Sequence, residues 1–157
     1  MTGQLDDTTI FWPLVVVAPF IGSFLGVLTH RLIDGRPIAT GRSACDSCGK
    51  TLEPLDLVPI VSWLALRARC RHCHARISAF YPAIELASVL VVLWGATRMV
   101  GNTLIATTIL GWLLLTIAII GWRRKTAPVV APLSFVIWLV WLYGPALYGW
   151  AQTHSAN

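Results

Sequence analysis

Four cysteines carry the clearest chemistry in this sequence. They form two C-x2-C pairs, Cys45-Asp46-Ser47-Cys48 and Cys70-Arg71-His72-Cys73, separated by 21 residues. A C-x2-C pair lets two thiolates reach one ion through a tight turn, and Gly49, directly after the first pair, suits such a turn. Two pairs offer four thiolates on tetrahedral corners, a closed site of the structural zinc type with no position left for a catalytic water. Disulfides, an iron centre or a redox-active pair are the competing uses of an even set of cysteines. His72 and His74 stand close enough in sequence to replace a thiolate as ligands, but read better as loop histidines beside the knuckle. Zinc fits best, because the cysteines fall in a segment expected to face a reducing compartment and a loop this short gains its fold from the metal.

The segment that holds the cysteines differs from everything around it. Seven of the 12 Lys and Arg and four of the seven acids lie in residues 34–76. The 157 residues are 56% hydrophobic and only 12% charged, against about a quarter charged in a soluble domain. A bilayer core asks for about 20 apolar residues per helix, and residues 11–32, 81–99, 103–122 and 129–150 meet that demand. The fold class expected is therefore an all-α polytopic membrane protein of about four transmembrane helices, with a four-cysteine zinc-knuckle loop between the first two. The division that follows is 1–33 for the tail and first helix, 34–80 for the zinc loop, and 81–157 for three further helices. Asp6 and Asp7 precede the first span and Arg31 follows it, the reverse of a signal peptide, so this span is read as retained. Gly101-Asn102 is a turn signal that makes the second and third spans a hairpin. Pro132 and Pro145 predict a kinked or frayed fourth helix.

Orientation follows from basic residues. Arg31, the seven in the loop, and Arg123, Arg124 and Lys125 fall on one side, and Arg98 alone falls on the other. This asymmetry places the loop in the cytoplasm and both termini outside it. The net charge of +5 is then topological, with membrane lipids and no nucleic acid as its partner. Between the knuckles, the apolar run of residues 57–66 is too short to span and reads as a segment packed at the membrane interface or against the bundle. Trp63 is expected at headgroup level, with Arg67, Arg69 and Arg71 meeting anionic lipid. Gly22 and Gly26 form a small-xxx-small face, read as packing within this chain.

Two acids stand out. Glu85 lies inside an apolar span and is a candidate functional acid by default. Its structural reading places it near the positive end of a helix begun by Pro82, paired with Arg67, Arg69 or Arg76. Asp56 reads as a cap before the 57–66 segment.

These residues together resemble the N-terminal part of the bacterial type IV prepilin peptidases. The resemblance runs through Gly22-Ser23-Phe24-Leu25 and His30-Arg31-Leu32, then Arg42-Ser43-x-Cys45-x-x-Cys48-Gly49 and Leu55-Asp56-Leu57-Val58-Pro59-Ile60. It continues in Ser62-Trp63-Leu64-x-Leu66-Arg67, Arg69-Cys70-Arg71-x-Cys73, Ile77-Ser78 and Tyr81-Pro82-x-x-Glu85-Leu86. Gly26 stands where the family usually has Asn, and Phe80 where it usually has Arg. The resemblance implies a multi-pass protein of the bacterial inner membrane. In that family the enzyme cleaves the leader of type IV pilins and type II secretion pseudopilins and methylates the new N-terminus with S-adenosylmethionine.

Cleavage in that family uses two aspartates, one before a basic loop and one in a Gly-x-Gly-Asp motif. In Ile119-Ile120-Gly121-Trp122-Arg123-Arg124 the first aspartate's position holds Gly121, and the Gly-x-Gly-Asp region is absent from these residues. No Asp or Glu follows Glu85, and an aspartyl protease needs two carboxyls sharing one proton. The expectation is a prepilin peptidase-like protein without autonomous protease activity, one half of a split enzyme whose aspartates come from a separately encoded catalytic half. The alternatives are a stand-alone S-adenosylmethionine-dependent N-methyltransferase, for which no glycine-rich nucleotide motif is present, and a non-catalytic relative that binds pilin-like subunits.

Overall fold

A computed structural model of the chain describes residues 7–37, 42–99 and 101–124. Four α-helices occur there: α1 (Asp7–Asp34), the short α2 (Val61–Ala65), α3 (Phe80–Ala96) and α4 (Gly101–Arg123), with a 3₁₀ turn at Pro54–Leu57 ahead of α2. Among the described residues there is no strand, only two isolated bridges, Ala44 with Thr51 and Arg69 with Arg76. The chain divides into two compact units, Met1–Thr108 and Ile109–Asn157. The first holds the cysteine loop and the helices that carry it, and the described part of the second is α4 from Ile109 onward with Arg124.

Among the described residues, two helices are long and apolar enough to cross a membrane, Thr9–Asp34 and Asn102–Arg123, matching the expected first and third spans. The helix at the second span, Phe80–Ala96, has 17 residues, the short end of what a bilayer core accepts. The expected fourth span lies outside the described residues. The turn between α3 and α4 comes earlier than Gly101-Asn102 led us to expect. Arg98 and Thr97 donate to the carbonyls three residues back, at 3.0 and 3.1 Å, so α3 tightens and ends there, and Gly101 already begins α4. Thr97 Oγ1 also donates to the Trp94 carbonyl at 2.7 Å, competing with continuation of the helix.

The face of α1 turned to α3 is made of small residues. Ala18, Gly22, Gly26 and Thr29 are buried, whereas Trp12, Val16, Phe20 and Phe24 recur every fourth residue on the outside and are exposed. In water this arrangement would be inverted. Lipid permits it, because helices there associate through close backbone approach rather than through burial of large side chains. The approach is closest at Gly22, where a Cβ would lie 2.6 Å from Ser88 Oγ, 2.7 Å from Glu85 Cα and 2.9 Å from the Ile84 carbonyl oxygen. At Gly26 the nearest atom would be Tyr81 Cδ1 at 3.4 Å. The two glycines thus pack within the chain. The buried hydroxyls at this crossing are satisfied inside their own helices, Thr29 donating to the Gly26 carbonyl and Ser88 to that of Ile84, both at 3.0 Å. A further close approach joins the α3 end to α4, where a Cβ on Gly95 would meet Leu104 Cδ1 at 3.2 Å.

Unequal cost at the two glycines follows. Gly22→Ala forces backbone apart and is expected to destabilise the chain by about 1–3 kcal/mol, while Gly26→Ala makes ordinary contact and costs much less. Unfolding of both variants in mixed micelles, followed by circular dichroism, checks the ranking; equal stabilities would mean that α1 and α3 do not cross at Gly22.

Candidate metal centre

Each C-x2-C pair closes in the same way. In the first knuckle the Gly49 amide donates to the Cys45 carbonyl at 2.8 Å and the Cys45 amide to the Lys50 carbonyl at 2.9 Å. In the second the His74 amide donates to the Cys70 carbonyl at 3.0 Å and the Cys70 amide to the Ala75 carbonyl at 2.9 Å. One bridge closes each turn at its base, Ala44 with Thr51 and Arg69 with Arg76. The fifth residue of each knuckle must take a left-handed backbone. Gly49 does so at φ +69°, and His74 does so at φ +56° with a side chain that disfavours it. His74 thus serves as a turn residue.

The two knuckles bring all four sulfurs within 4.8 Å of one another, and these are Cys45, Cys48, Cys70 and Cys73 with no histidine among them. Cys45 Sγ and Cys73 Sγ stand 3.8 Å apart. Thiolates at about 2.3 Å from a tetrahedral zinc lie about 3.8 Å from each other, so the geometry fits the ion. All four cysteines are free thiols rather than disulfides. Proximity also shapes their acidity. The Cys48 and Ser47 amides aimed at Cys45 lower its pKa to about 7. At Cys73 the Ala75 amide favours ionisation, but desolvation and the neighbouring Cys48, Cys70 and Cys45 push the pKa up to about 11. Four like charges cannot form so close together unless a cation neutralises them.

The loop around this cluster has almost no core. Of residues 42–79 only Pro59 and Cys70 are buried, so a metal cross-link would supply what the hydrophobic effect does not. Two polar ties extend the order outward. Asp56, whose side chain is 3% exposed, takes Arg71 Nε at 2.9 Å and Nη2 at 2.8 Å on one oxygen. Its other oxygen accepts the Glu53 amide at 3.2 Å, completing a capping box on the 3₁₀ turn. Burial opposes the charge on Asp56, yet the Arg71 hydrogen bond and the Glu53 amide hold its carboxyl below the ordinary value. Asp56 is therefore a cap, but of Pro54–Leu57 rather than of the segment beyond. Arg71, expected at anionic lipid, is committed to Asp56. Sequence reasoning missed this clamp, although an Arg inside a C-x2-C pair and an isolated Asp were its signal.

The second tie corrects the reading of Glu85. It is buried in α3, and none of Arg67, Arg69 or Arg76 pairs with it among the described residues. Its Oε2 accepts the backbone amide of Ile60 at 2.7 Å, just where α2 begins. Ile60 has φ +60°, an outlier for a β-branched residue that costs about 1–3 kcal/mol. The hydrogen bond from its amide to Glu85 helps to hold that backbone. Trp63, expected at headgroup level, donates its indole N–H to the Ile77 carbonyl at 3.3 Å and closes the loop on itself. Gly121 lies in the last turn of α4, within the second unit.

The centre makes two predictions. Purified protein is expected to hold one zinc per chain by elemental analysis. Cys70→Ser or Cys45→Ser abolishes it and opens the loop to trypsin at Arg67 and Arg69, whereas His72→Ala and His74→Gly keep it. Asp56→Asn is expected to retain stoichiometric zinc but release it severalfold faster to a chromophoric chelator, while Glu53→Gln releases it at the parent rate. Equal release from both variants would detach the Arg71 clamp from the metal centre.

The sequence is 38% identical to a prepilin leader peptidase/N-methyltransferase of Burkholderia pseudomallei (strain K96243), over 47% of this chain and 32% of that protein. It is 44% identical to a protein of that name from Myxococcus xanthus (strain DK1622), over 48% of this chain and 24% of the relative. With one from Pseudomonas aeruginosa the identity is 31%, over 59% of this chain and 42% of the relative. The chain spans less than half the length of each. No solved structure matches it. The family model described as the bacterial peptidase A24 N-terminal domain matches residues 16–99, more than half of the chain, and takes in the Gly22 crossing, both knuckles and Glu85: the chain belongs to that family.

Proposed function

We infer that this chain is a prepilin peptidase-like protein of the bacterial inner membrane, serving type IV pilus or type II secretion biogenesis. It supplies the zinc-knuckle platform of a processing enzyme, and its protease carboxylates come from outside these 157 residues. The observation that carries the reading is the four-sulfur cluster borne between α1 and α3 in a chain of this family. The positive-inside asymmetry supports a cytoplasmic platform with both termini on the periplasmic side, and four spans when residues 129–150 are included.

The acids present support a structural platform rather than a dyad. Asp34 takes His30 Nδ1 at 2.8 Å, Asp56 takes Arg71 and Glu85 takes the Ile60 amide. The three acids on which a local dyad would draw are each engaged with a donor. Gly121 offers no carboxyl at the first aspartate's place, and no acid follows Glu85 within the sequence. Since aspartyl catalysis needs two carboxyls on one water, a second polypeptide that brings the pair completes the enzyme.

A second reading is favoured by the relatives' shared name, which couples the peptidase to an N-methyltransferase. In it the platform binds S-adenosylmethionine and the new pilin N-terminus by itself. One experiment separates the two. The purified chain in detergent is mixed with a prepilin and labelled S-adenosylmethionine, alone and with a polypeptide carrying the aspartate pair. We expect no leader removal by the chain alone and full removal with the partner. Cleavage by the isolated chain would overturn the carboxylate argument, and methylation of pre-cleaved pilin by the chain alone would establish the second reading.

A further inference from the structure

The metal loop carries an apolar surface that its own packing does not use. Leu55 and Leu57 on the 3₁₀ turn are exposed, and Val61 and Leu64, one helical turn apart on α2, are 62% and 61% exposed. Directly after them come Arg67 and Arg69, both exposed and in no ion pair with a described carboxylate. A soluble loop would be expected to hide four large aliphatic side chains or do without them.

The position of this surface along the helices says what covers it. Glu85 lies five residues into α3 from Phe80, about 7.5 Å along the axis at 1.5 Å per residue. Its side chain slants back toward the helix start, as helical side chains do, and at its end it holds the Ile60 amide. α2 therefore begins within a few residues' rise of the level at which α3 itself begins. The partner helix gives the same level independently. Gly22 is packed on Glu85 and Ser88, and the first ionisable groups beyond it on α1, His30 and Arg31, lie about 12 Å further along. With α3 only 17 residues long, a membrane crossing uses all of it. The boundary of the hydrocarbon then falls near Phe80 and His30, and α2 lies at that boundary, not above it in water.

We propose that the 3₁₀ turn and α2 form an interfacial wedge. Leu55, Leu57, Val61 and Leu64 enter the outer part of the cytoplasmic leaflet, and Arg67 and Arg69 bind anionic lipid headgroups at its surface. The wedge rests on the reading of α3 as a membrane helix. Apolar residues followed by arginines are the composition that such interfacial segments require. The Glu85–Ile60 hydrogen bond is the pin that sets their depth. Through Asp56 and Arg71 the same wedge is joined to the second knuckle, so the metal centre is held at a fixed height above the leaflet.

The test places a nitroxide, through a ketone-bearing unnatural amino acid that spares the cysteines, at position 64, 90 or 50 of the full chain in nanodiscs. Collision with oxygen and with a neutral nickel chelate is then measured by power saturation. Leu90 is an exposed residue in α3 and Lys50 an exposed one on the first knuckle. In phosphatidylglycerol-containing discs, label 64 is expected to favour oxygen over nickel severalfold, between the lipid-like label 90 and the aqueous label 50. Arg67→Gln with Arg69→Gln, or purely zwitterionic lipid, is expected to shift label 64 toward nickel. A label 64 as aqueous as label 50, with label 90 still in lipid, overturns the wedge and leaves the span. Nickel access at both 64 and 90 removes the span and the wedge together. Shielding of 64 from both reagents means that protein covers the surface, from a second copy or a bound peptide, and overturns the lipid assignment. Indifference of label 64 to headgroup charge and to both Arg substitutions overturns the role given to Arg67 and Arg69.

Discussion

A loop that buries only Pro59 and Cys70 among residues 42–79 does not hold one shape through the hydrophobic effect. Convergence of four sulfurs within 4.8 Å replaces a core. An ion held by both knuckles would fix their relative position, because each pair alone defines only two tetrahedral corners. Everything else in the loop follows from that cross-link. Arg71 sits inside the second knuckle, so its guanidinium reaches Asp56; Asp56 then closes the 3₁₀ turn, and the turn delivers Ile60 to Glu85. The path from the sulfur cluster to α3 runs through groups named at each step, and no large apolar contact is needed along it.

A second constraint operates where the helices meet. Backbone approach at Gly22 leaves no room even for a methyl group against Ser88 and Glu85. That closeness puts the Glu85 backbone at the crossing and aims its side chain away from α1 toward the loop. Small residues inside and Trp12, Val16, Phe20 and Phe24 outside are the solution available when the surrounding solvent is as apolar as the side chains. The helix pair and the metal loop are thus not separate designs, because the residue against which Gly22 packs is the one that receives the Ile60 amide.

This economy bears on how the chain relates to its longer relatives. The family match over residues 16–99 coincides with the segment that the helix crossing and the sulfur cluster hold together.

The cysteine spacing by itself marked out the candidate metal ligands, because each C-x2-C turn can aim two thiolates at one point. Composition likewise determined helices in the stretches where α1, α3 and α4 are found, and the Gly22 and Gly26 spacing marked a close-packing face. Single-residue partners were another matter. Glu85 was recognisable as an acid in an apolar helix, yet its partner is a backbone amide 25 residues away in sequence, and every residue except proline has such an amide. Arg71 and Asp56 were both read as local, one at lipid and one as a cap, because nothing in a linear pattern says which long side chain folds back over a knuckle. His74 was read as a loop histidine beside the knuckle, but its place as the left-handed turn residue, at φ +56°, was not visible in the sequence. Periodicity and spacing report what neighbours along the chain must do together, whereas pairings across a loop are decided only when the metal and the helix crossing have brought its two ends to fixed positions.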